Sequence, residues 1–468
     1  MRALISPYTF GGTVTVPASK SHTIRRLLMA SLCNGSSRIE NPLESLDAQS
    51  CAAACRVLGA EITEEDGDPR RWIVRGRKPG PGPETAVAAE PLHIDVGNSG
   101  TTLFLVLAAA ALGAAPVTFT GDKQIARRSA GPLLEALEAL GAAVDSNGGC
   151  TPITVRGPWK GGRASISCPT SQYLSALLIA APLAPAGVVS AIEVPLLNEK
   201  PYVDMTLLYL QGQGLLNTGT GPGLNSMEAY SRFRITGGAA YTPINGPVPG
   251  DFSSAAFPAA GAIISGGKLS LQGLDPEDPQ GDKVFFDHLV TMGCKVEWEK
   301  TGIHGDGSPW QLRVSCPGPL RGGTFDLNAT PDLLPVMAVL AAYAEGETAL
   351  VNAAHARIKE TDRIAVMAAE LGKLGVHCRE EPGGLFIKGA AWKEKQRANR
   401  NEKKWQEDAR ETESPVSLDG RGDHRIVMAL ACAALGLPAR RTTEILGAEA
   451  ADISYPGFLE LLKARCYA

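Results

Sequence analysis

Six stretches of the chain share one plan: a turn of small polar residues, then an Ala- and Leu-rich helical segment that stops at Gly or Pro. They begin near Ser19, Asn98, Thr170, Asp251, Asn328 and Asp423. Ser, Thr, Asn and Asp at such places cap a helix by accepting hydrogen bonds from its first unpaired N–H groups. A second helix is expected within each unit. Five of these end alike, at Val57-Leu58-Gly59-Ala60, Ala139-Leu140-Gly141-Ala142, Gly212-Gln213-Gly214-Leu215, Thr291-Met292-Gly293-Cys294 and Lys373-Leu374-Gly375-Val376. Glycine just past the last apolar turn is the usual left-handed stop. Segments that follow, such as Lys295-Val296-Glu297-Trp298, alternate as strands do. A unit of roughly 80 residues is too long for the common solenoid repeats. It predicts an α/β fold with three units in each of two domains.

Composition limits the function classes. The chain has 468 residues, 44% of them hydrophobic, and a net charge of −4. That balance excludes the bulk basic field of a nucleic-acid-binding protein, so an anionic substrate would need cations gathered locally. The ten Cys residues form no C-x-x-C pair, and Cys51 and Cys55 have no His at ligand spacing. Reduced, buried thiols and no metal are expected. Met1 to Pro7 is too short and too soon broken for a signal peptide, and apolar runs such as Leu103 to Leu112 fall short of a membrane span. A cytoplasmic protein is expected. Residues 392–415 carry dense charge of both signs and read as a solvated insertion before the sixth unit.

Chemistry-bearing residues collect at the helix starts, where unpaired N–H groups and the helix dipole favour anions. Lys20 and Ser21 open the first helix, with Arg25 one turn further on the same side. Gly97-Asn98-Ser99-Gly100-Thr101-Thr102 lets backbone approach a ligand. Arg127 and Arg128 are adjacent and face different ways, so one is expected at a site and the other in solvent. Thr170, Ser171 and Gln172 offer uncharged hydrogen-bonding groups suited to a hydroxylated ligand or to a plain cap. Asp332 places a carboxylate at a helix mouth, and Arg357 to Arg363 carries five charged side chains in seven residues, with Glu360 and Arg363 spaced to share a face. Gly422-Asp423-His424-Arg425 leads into the last apolar helix, and His424 has no second His at ligand spacing.

Taken together, Ser19-Lys20-Ser21, Gly97 to Thr101, Thr170-Ser171-Gln172, Lys200-Pro201-Tyr202, Gly250-Asp251 with Ser253-Ser254, Pro331-Asp332, Lys359 to Arg363 and Asp423-His424-Arg425 resemble, in order and along nearly the whole chain, the 5-enolpyruvylshikimate-3-phosphate synthases. The resemblance implies a two-domain inverse α/β barrel, each domain built of three βαβαββ units, with the active site in the interdomain cleft. It implies one domain over residues 19–246 and a second over 1–18 plus 247–468, the chain crossing near residues 18 and 247. The implied reaction transfers the enolpyruvyl group of phosphoenolpyruvate to the 5-hydroxyl of shikimate 3-phosphate, with no cofactor, no metal and no macromolecular partner, in a monomer. Lys20, Ser21, Arg25, Thr170, Ser171, Gln172, Tyr202, Asp332 and Lys359 match shikimate 3-phosphate contacts. Lys20, Gly100, Arg128, Gln172, Arg363 and Arg425 match phosphoenolpyruvate contacts. Asp332, Glu360 and Lys20 match the catalytic groups, Asp332 accepting a proton near the attacking hydroxyl and Glu360 protonating the enol carbon. Space beside Gly100 implies that glyphosate fits as a competitor of phosphoenolpyruvate.

Four positions depart from the family's pattern. Phe104 stands where many relatives carry an arginine, and Glu199 where a small hydroxyl residue is common near the substrate phosphate. A carboxylate there repels phosphate unless it turns away or pairs with Lys200. His355 replaces an amide, and Ile453 a lysine found in some members. Two other readings follow: a catalytically impaired anion-binding paralogue, and the related transferase that acts on UDP-N-acetylglucosamine. The second needs a loop Cys, and Gly121 to Arg128 has none.

Overall fold

The computed structural model describes residues 1–77, 91–302, 308–389, 415–438, 441–464 and 466–467. Residues 392–414 of the charged stretch therefore lie outside the described residues. The chain divides into two compact units, an inserted one over Ala18–Val248 and a terminal one made of Met1–Pro17 with Pro249–Ala468.

One sheet plan recurs in both. Strand Leu92–Asp95 runs parallel to Val117–Thr120, and the hairpin Ala143–Asn147 and Cys150–Arg156 completes the sheet in antiparallel fashion. Parallel neighbours need a crossover, here the helix Gly100–Ala110. A second helix, Gly131–Ala139, precedes the hairpin, which gives the order βαβαββ. Gly162–Cys168 to Arg232–Thr236 repeats this order with helices Gln172–Ala180 and Lys200–Gly212. The remaining sheet of the inserted unit takes its first strand, Gly246–Pro247, from the far end of the segment, parallel to Gly35–Glu40. In the terminal unit Gly12–Thr15 does the same beside Lys268–Gln272. The sixth unit departs: strand Thr443–Leu446 pairs in parallel with Val416–Asp419 and antiparallel with Arg2–Ile5.

The first helix of each unit is the buried one. Every residue of Phe252–Ser265, Leu334–Tyr343 and His424–Leu435 is buried, and these three helices pack on one another. Their apolar character all round fits that position, since no face needs to meet water. Ser19, Ser99, Asp251 and Asp423 cap as the sequence predicts, each side chain accepting from a helix N–H. The helix expected from Asn328 starts later, at Leu334 after a 3-10 turn Pro331–Leu333. Pro331 and Pro335 account for the delay, because proline is tolerated only in a first turn and disfavours helix in the residue before it.

Two sets of glycines mark the repeat. Gly59, Gly141, Gly214, Gly293 and Gly375 all have positive φ, as the helix ends require. A different set closes the sheets: a Cβ on Gly76, Gly157, Gly237 or Gly389 would lie 2.2, 2.5, 2.6 or 2.1 Å from the carbonyl oxygen of Ala30, Ala111, Pro185 or Ala344. Each of those carbonyls lies just past or near the end of the unit's first helix. Only a residue without a side chain lets the last strand dock there.

Candidate active site

In the inserted unit, the first turns of the buried helices meet through side chains. Lys20 Nζ stands 2.9 Å from Asp47 Oδ2, both groups largely buried. Asp47 sits in the first turn of helix Leu46–Val57, and its carbonyl accepts from Thr102 Oγ1 at the start of helix Gly100–Ala110. No sequence motif singled out Asp47, yet it fixes the ammonium. Arg25 is buried, and its Nε donates to Thr206 Oγ1 at 2.9 Å, its Nη1 to the Ser21 carbonyl at 3.1 Å and its Nη2 to the Tyr202 carbonyl at 3.0 Å. Three of the five N–H groups of a guanidinium thus go to the protein. Burial pushes the Arg25 pKa down to about 10, which leaves the charge intact at neutral pH.

Arg128 and Gly100 are in direct contact. A Cβ at Gly100 would lie 2.3 Å from Arg128 Nη1, so the guanidinium fills the space that the sequence reading assigned to a competitor. Its centre stands 5.6 Å from the Phe104 ring centroid, and Phe104 meets Tyr173 edge to face at 5.0 Å. The residue that replaces a second arginine is therefore a ring on which the first one rests, a contact of about 0.5–1 kcal/mol when exposed. Asn98 Nδ2 donates to Asp122 Oδ2 and Gln124 Oε1, both at 2.8 Å, which ties the glycine turn to the arginine loop. Arg127 is exposed and Arg128 half-buried.

Thr170 and Ser171 already hold an anion. Thr170 Oγ1, Ser171 Oγ and the Ser171 N–H donate to Glu199 Oε2 at 2.9, 3.1 and 3.1 Å. Glu199 is 2% exposed, and its backbone is left-handed at φ 57°, ψ 38°. A non-glycine residue there costs about 1–2 kcal/mol. The carboxylate turns inward, while Lys200 lies over the Tyr230 ring at 4.1 Å. Gln172 Oε1 is buried with no hydrogen-bond partner among the described residues.

In the terminal unit one guanidinium organises the cluster. Arg363 is 1% exposed; its Nε donates to Asp423 Oδ2 at 2.8 Å, its Nη1 to Asp332 Oδ1 at 2.7 Å and its Nη2 to Glu360 Oε2 at 2.6 Å. Burial opposes the charge, but the carboxylates of Asp423, Glu360 and Asp332 outweigh it and raise the pKa. Glu360 meets Arg363 from the loop ahead of helix Arg363–Lys373, which Asp362 caps, rather than from a shared helical face. Asp423 also accepts from Thr361 Oγ1 at 3.1 Å and from the Arg425 N–H at 2.9 Å. The other face of Asp332 is taken by Arg425 Nη2 at 2.9 Å, with Lys359 Nζ 3.7 Å from Oδ1. His355 Nε2 lies 3.1 Å from the Asn328 carbonyl, and Ile453 packs against the core.

Asp282 was not foreseen. It is buried, its Oδ2 accepts from Ser253 Oγ at the start of helix Phe252–Ser265, and its Oδ1 has no partner among the described residues. Burial, then the charge of Asp332, pushes its pKa up to about 7, while Arg425 and the Ser253 bond oppose the shift. The first turns of all three buried helices of this unit are thereby linked.

This raised pKa has a stability signature. Between 3.8, the ordinary value, and about 7 the folded chain binds the Asp282 proton and the unfolded chain does not. The group's contribution to stability therefore falls as pH rises through that window and is level above it. Asp282→Asn keeps an acceptor for Ser253 and removes the ionisation. Urea unfolding across pH should show the variant gaining on the parent from about pH 4 to about pH 7; a difference that is flat with pH would contradict the assignment.

Comparison with known proteins agrees on one family. The family model for EPSP synthase (3-phosphoshikimate 1-carboxyvinyltransferase) matches residues 6–462. The chain is 43% identical over 457 residues to the 3-phosphoshikimate 1-carboxyvinyltransferase of Acetivibrio thermocellus, covering 97% of this chain and 96% of that one. It is 38% identical to the protein of the same name from Halobacterium salinarum, covering 99% and 98%. The structure of EPSP synthase from Acinetobacter baumannii superposes with a TM-score of 0.74 at 25% identity, covering 99% of this chain and 98% of that chain. With the repeat, the sheet plan and the clustered cations and carboxylates in place, the chain belongs to the EPSP synthase family.

Proposed function

We propose that this chain transfers the enolpyruvyl group of phosphoenolpyruvate to the 5-hydroxyl of shikimate 3-phosphate and releases inorganic phosphate. The observation that carries the reading is the Arg363 cluster, where two carboxylates, Asp332 and Glu360, are held on one buried guanidinium within 2.7 Å. Addition to an enol needs a base for the attacking hydroxyl and an acid for the methylene carbon, and two carboxyl groups in different surroundings divide that work. Asp332, flanked by Arg363, Arg425 and Lys359, serves as the base. Glu360, which pairs with Arg363 from the loop ahead of helix Arg363–Lys373, serves as the acid.

Addition gives a tetrahedral ketal that carries both the new C–O bond and the phosphate. Its breakdown expels phosphate, which takes up the proton held by Asp332, and returns a proton of the new methyl group to Glu360, which regenerates the double bond. Arg128, Arg363 and Arg425 supply forks for the carboxylate and phosphate of phosphoenolpyruvate, with Lys20 a point charge for both substrates. Ser21, Arg25, Thr170, Ser171, Gln172, Tyr202 and Lys359 hold the phosphorylated sugar acid. Gly100 admits Arg128. A cytoplasmic monomer of two domains, bounded near residues 18 and 247, completes the reading. Among the described residues no helix is long and apolar enough to cross a membrane.

Phosphate release from phosphoenolpyruvate should require shikimate 3-phosphate and should fall by about 100-fold or more in Glu360→Gln. Release from phosphoenolpyruvate alone, or a Glu360→Gln variant as fast as the parent, would overturn the proposal. Gly100→Ala drives a methyl group into the Arg128 guanidinium. Its KM for phosphoenolpyruvate should rise about tenfold or more, with the KM for shikimate 3-phosphate far less changed; equal shifts in both would separate Arg128 from phosphoenolpyruvate.

A further inference from the structure

Glu199 occupies the place of a ligand. Its Oε2 collects two hydroxyl donors and one backbone N–H, from Thr170 and Ser171, at 2.9–3.1 Å. These donors stand at the mouth of helix Gln172–Ala180, where a tetrahedral oxyanion would be received. The Arg25 guanidinium also feels the Glu199 charge. We infer that Glu199 is a resident anion that the phosphate of the phosphorylated sugar acid must displace, so that it sets the enzyme's affinity for that phosphate. This rests on the reading that Thr170 and Ser171 receive the phosphate.

The physical case is one of occupancy and charge. Three donors converge on a single carboxylate oxygen, and a phosphate oxygen needs the same donors, so both cannot hold them together. A carboxylate left nearby and unmoved would repel the incoming dianion across a few ångströms of poorly solvated space. Binding therefore includes swinging Glu199 off Thr170 and Ser171. In return, Glu199 keeps the buried Thr170 and Ser171 hydroxyls satisfied and aimed. The neutral parts of the ligand do not compete with Glu199. Discrimination between phosphorylated and unphosphorylated ligand is thus lower than the donor set alone would give.

Calorimetric titration of the full chain with shikimate 3-phosphate and with shikimate tests this. Glu199→Gln, nearly isosteric, and Glu199→Ser, with the hydroxyl common in the family, should each bind shikimate 3-phosphate about tenfold more tightly or better, with shikimate changed less than about threefold. Thr170→Ala combined with Ser171→Ala should abolish the gain when added to Glu199→Ser. Unchanged or weaker shikimate 3-phosphate binding in both Glu199 variants, with the Thr170–Ser171 double variant still weakening the parent, would overturn the role of Glu199 and leave the phosphate reading intact. No effect of the double variant in either background would remove the phosphate from Thr170 and Ser171 altogether. Equal tightening of shikimate and shikimate 3-phosphate would likewise refute competition with phosphate.

Discussion

A buried guanidinium needs partners for its donors, and those of Arg363 are three carboxylates. Asp423 holds its Nε edge from the mouth of helix His424–Leu435, and Asp332 and Glu360 take the other two nitrogens. The fork is planar and rigid, so it fixes the separation and direction of the two carboxylates as firmly as it fixes itself. A lysine would supply charge without that geometry. Asp332, Glu360 and Arg363 are thus one unit, and Asp362 and Asp423 cap the helices beside it.

The same economy of charge runs through the inserted unit. Lys20 rests on Asp47, and Thr170 and Ser171 rest on Glu199. With a net charge of −4, the chain does not attract anions in bulk. Lys20, Thr170 and Ser171 stand at helix mouths and are met there by internal carboxylates. On the proposed reading a phosphate at Thr170 and Ser171 replaces Glu199, so affinity is the difference between two sets of strong interactions rather than the sum of one.

The fold was legible because its signals are local. Cap residues precede the buried helices, and glycines with positive φ follow the second helix in five units. The motif residues could be named for similar reasons, since they stand at those same helix starts. Less visible were the pairings that complete them. Asp423 lies 60 residues from Arg363, and Glu199 lies 29 from Thr170. Asp47 and Asp282 belong to turns that carry no striking pattern, and only tertiary packing brings them to Lys20 and Ser253. Glu199 was recognisable as out of place, but its direction depends on a left-handed backbone that sequence does not announce for a glutamate. Phe104 was read as a lost cation; in the fold it supports Arg128.

Asp423 reaches Asp332 and Glu360 through Arg363 and so sets their positions. Asp423→Asn preserves an acceptor for the Arg425 N–H and a good helix cap while removing the charge. Steady-state kinetics on this variant, with thermal unfolding to establish that it is folded, are the direct measurement. A loss of about 100-fold in kcat/KM for phosphoenolpyruvate is expected. A folded Asp423→Asn enzyme within about threefold of the parent would contradict it.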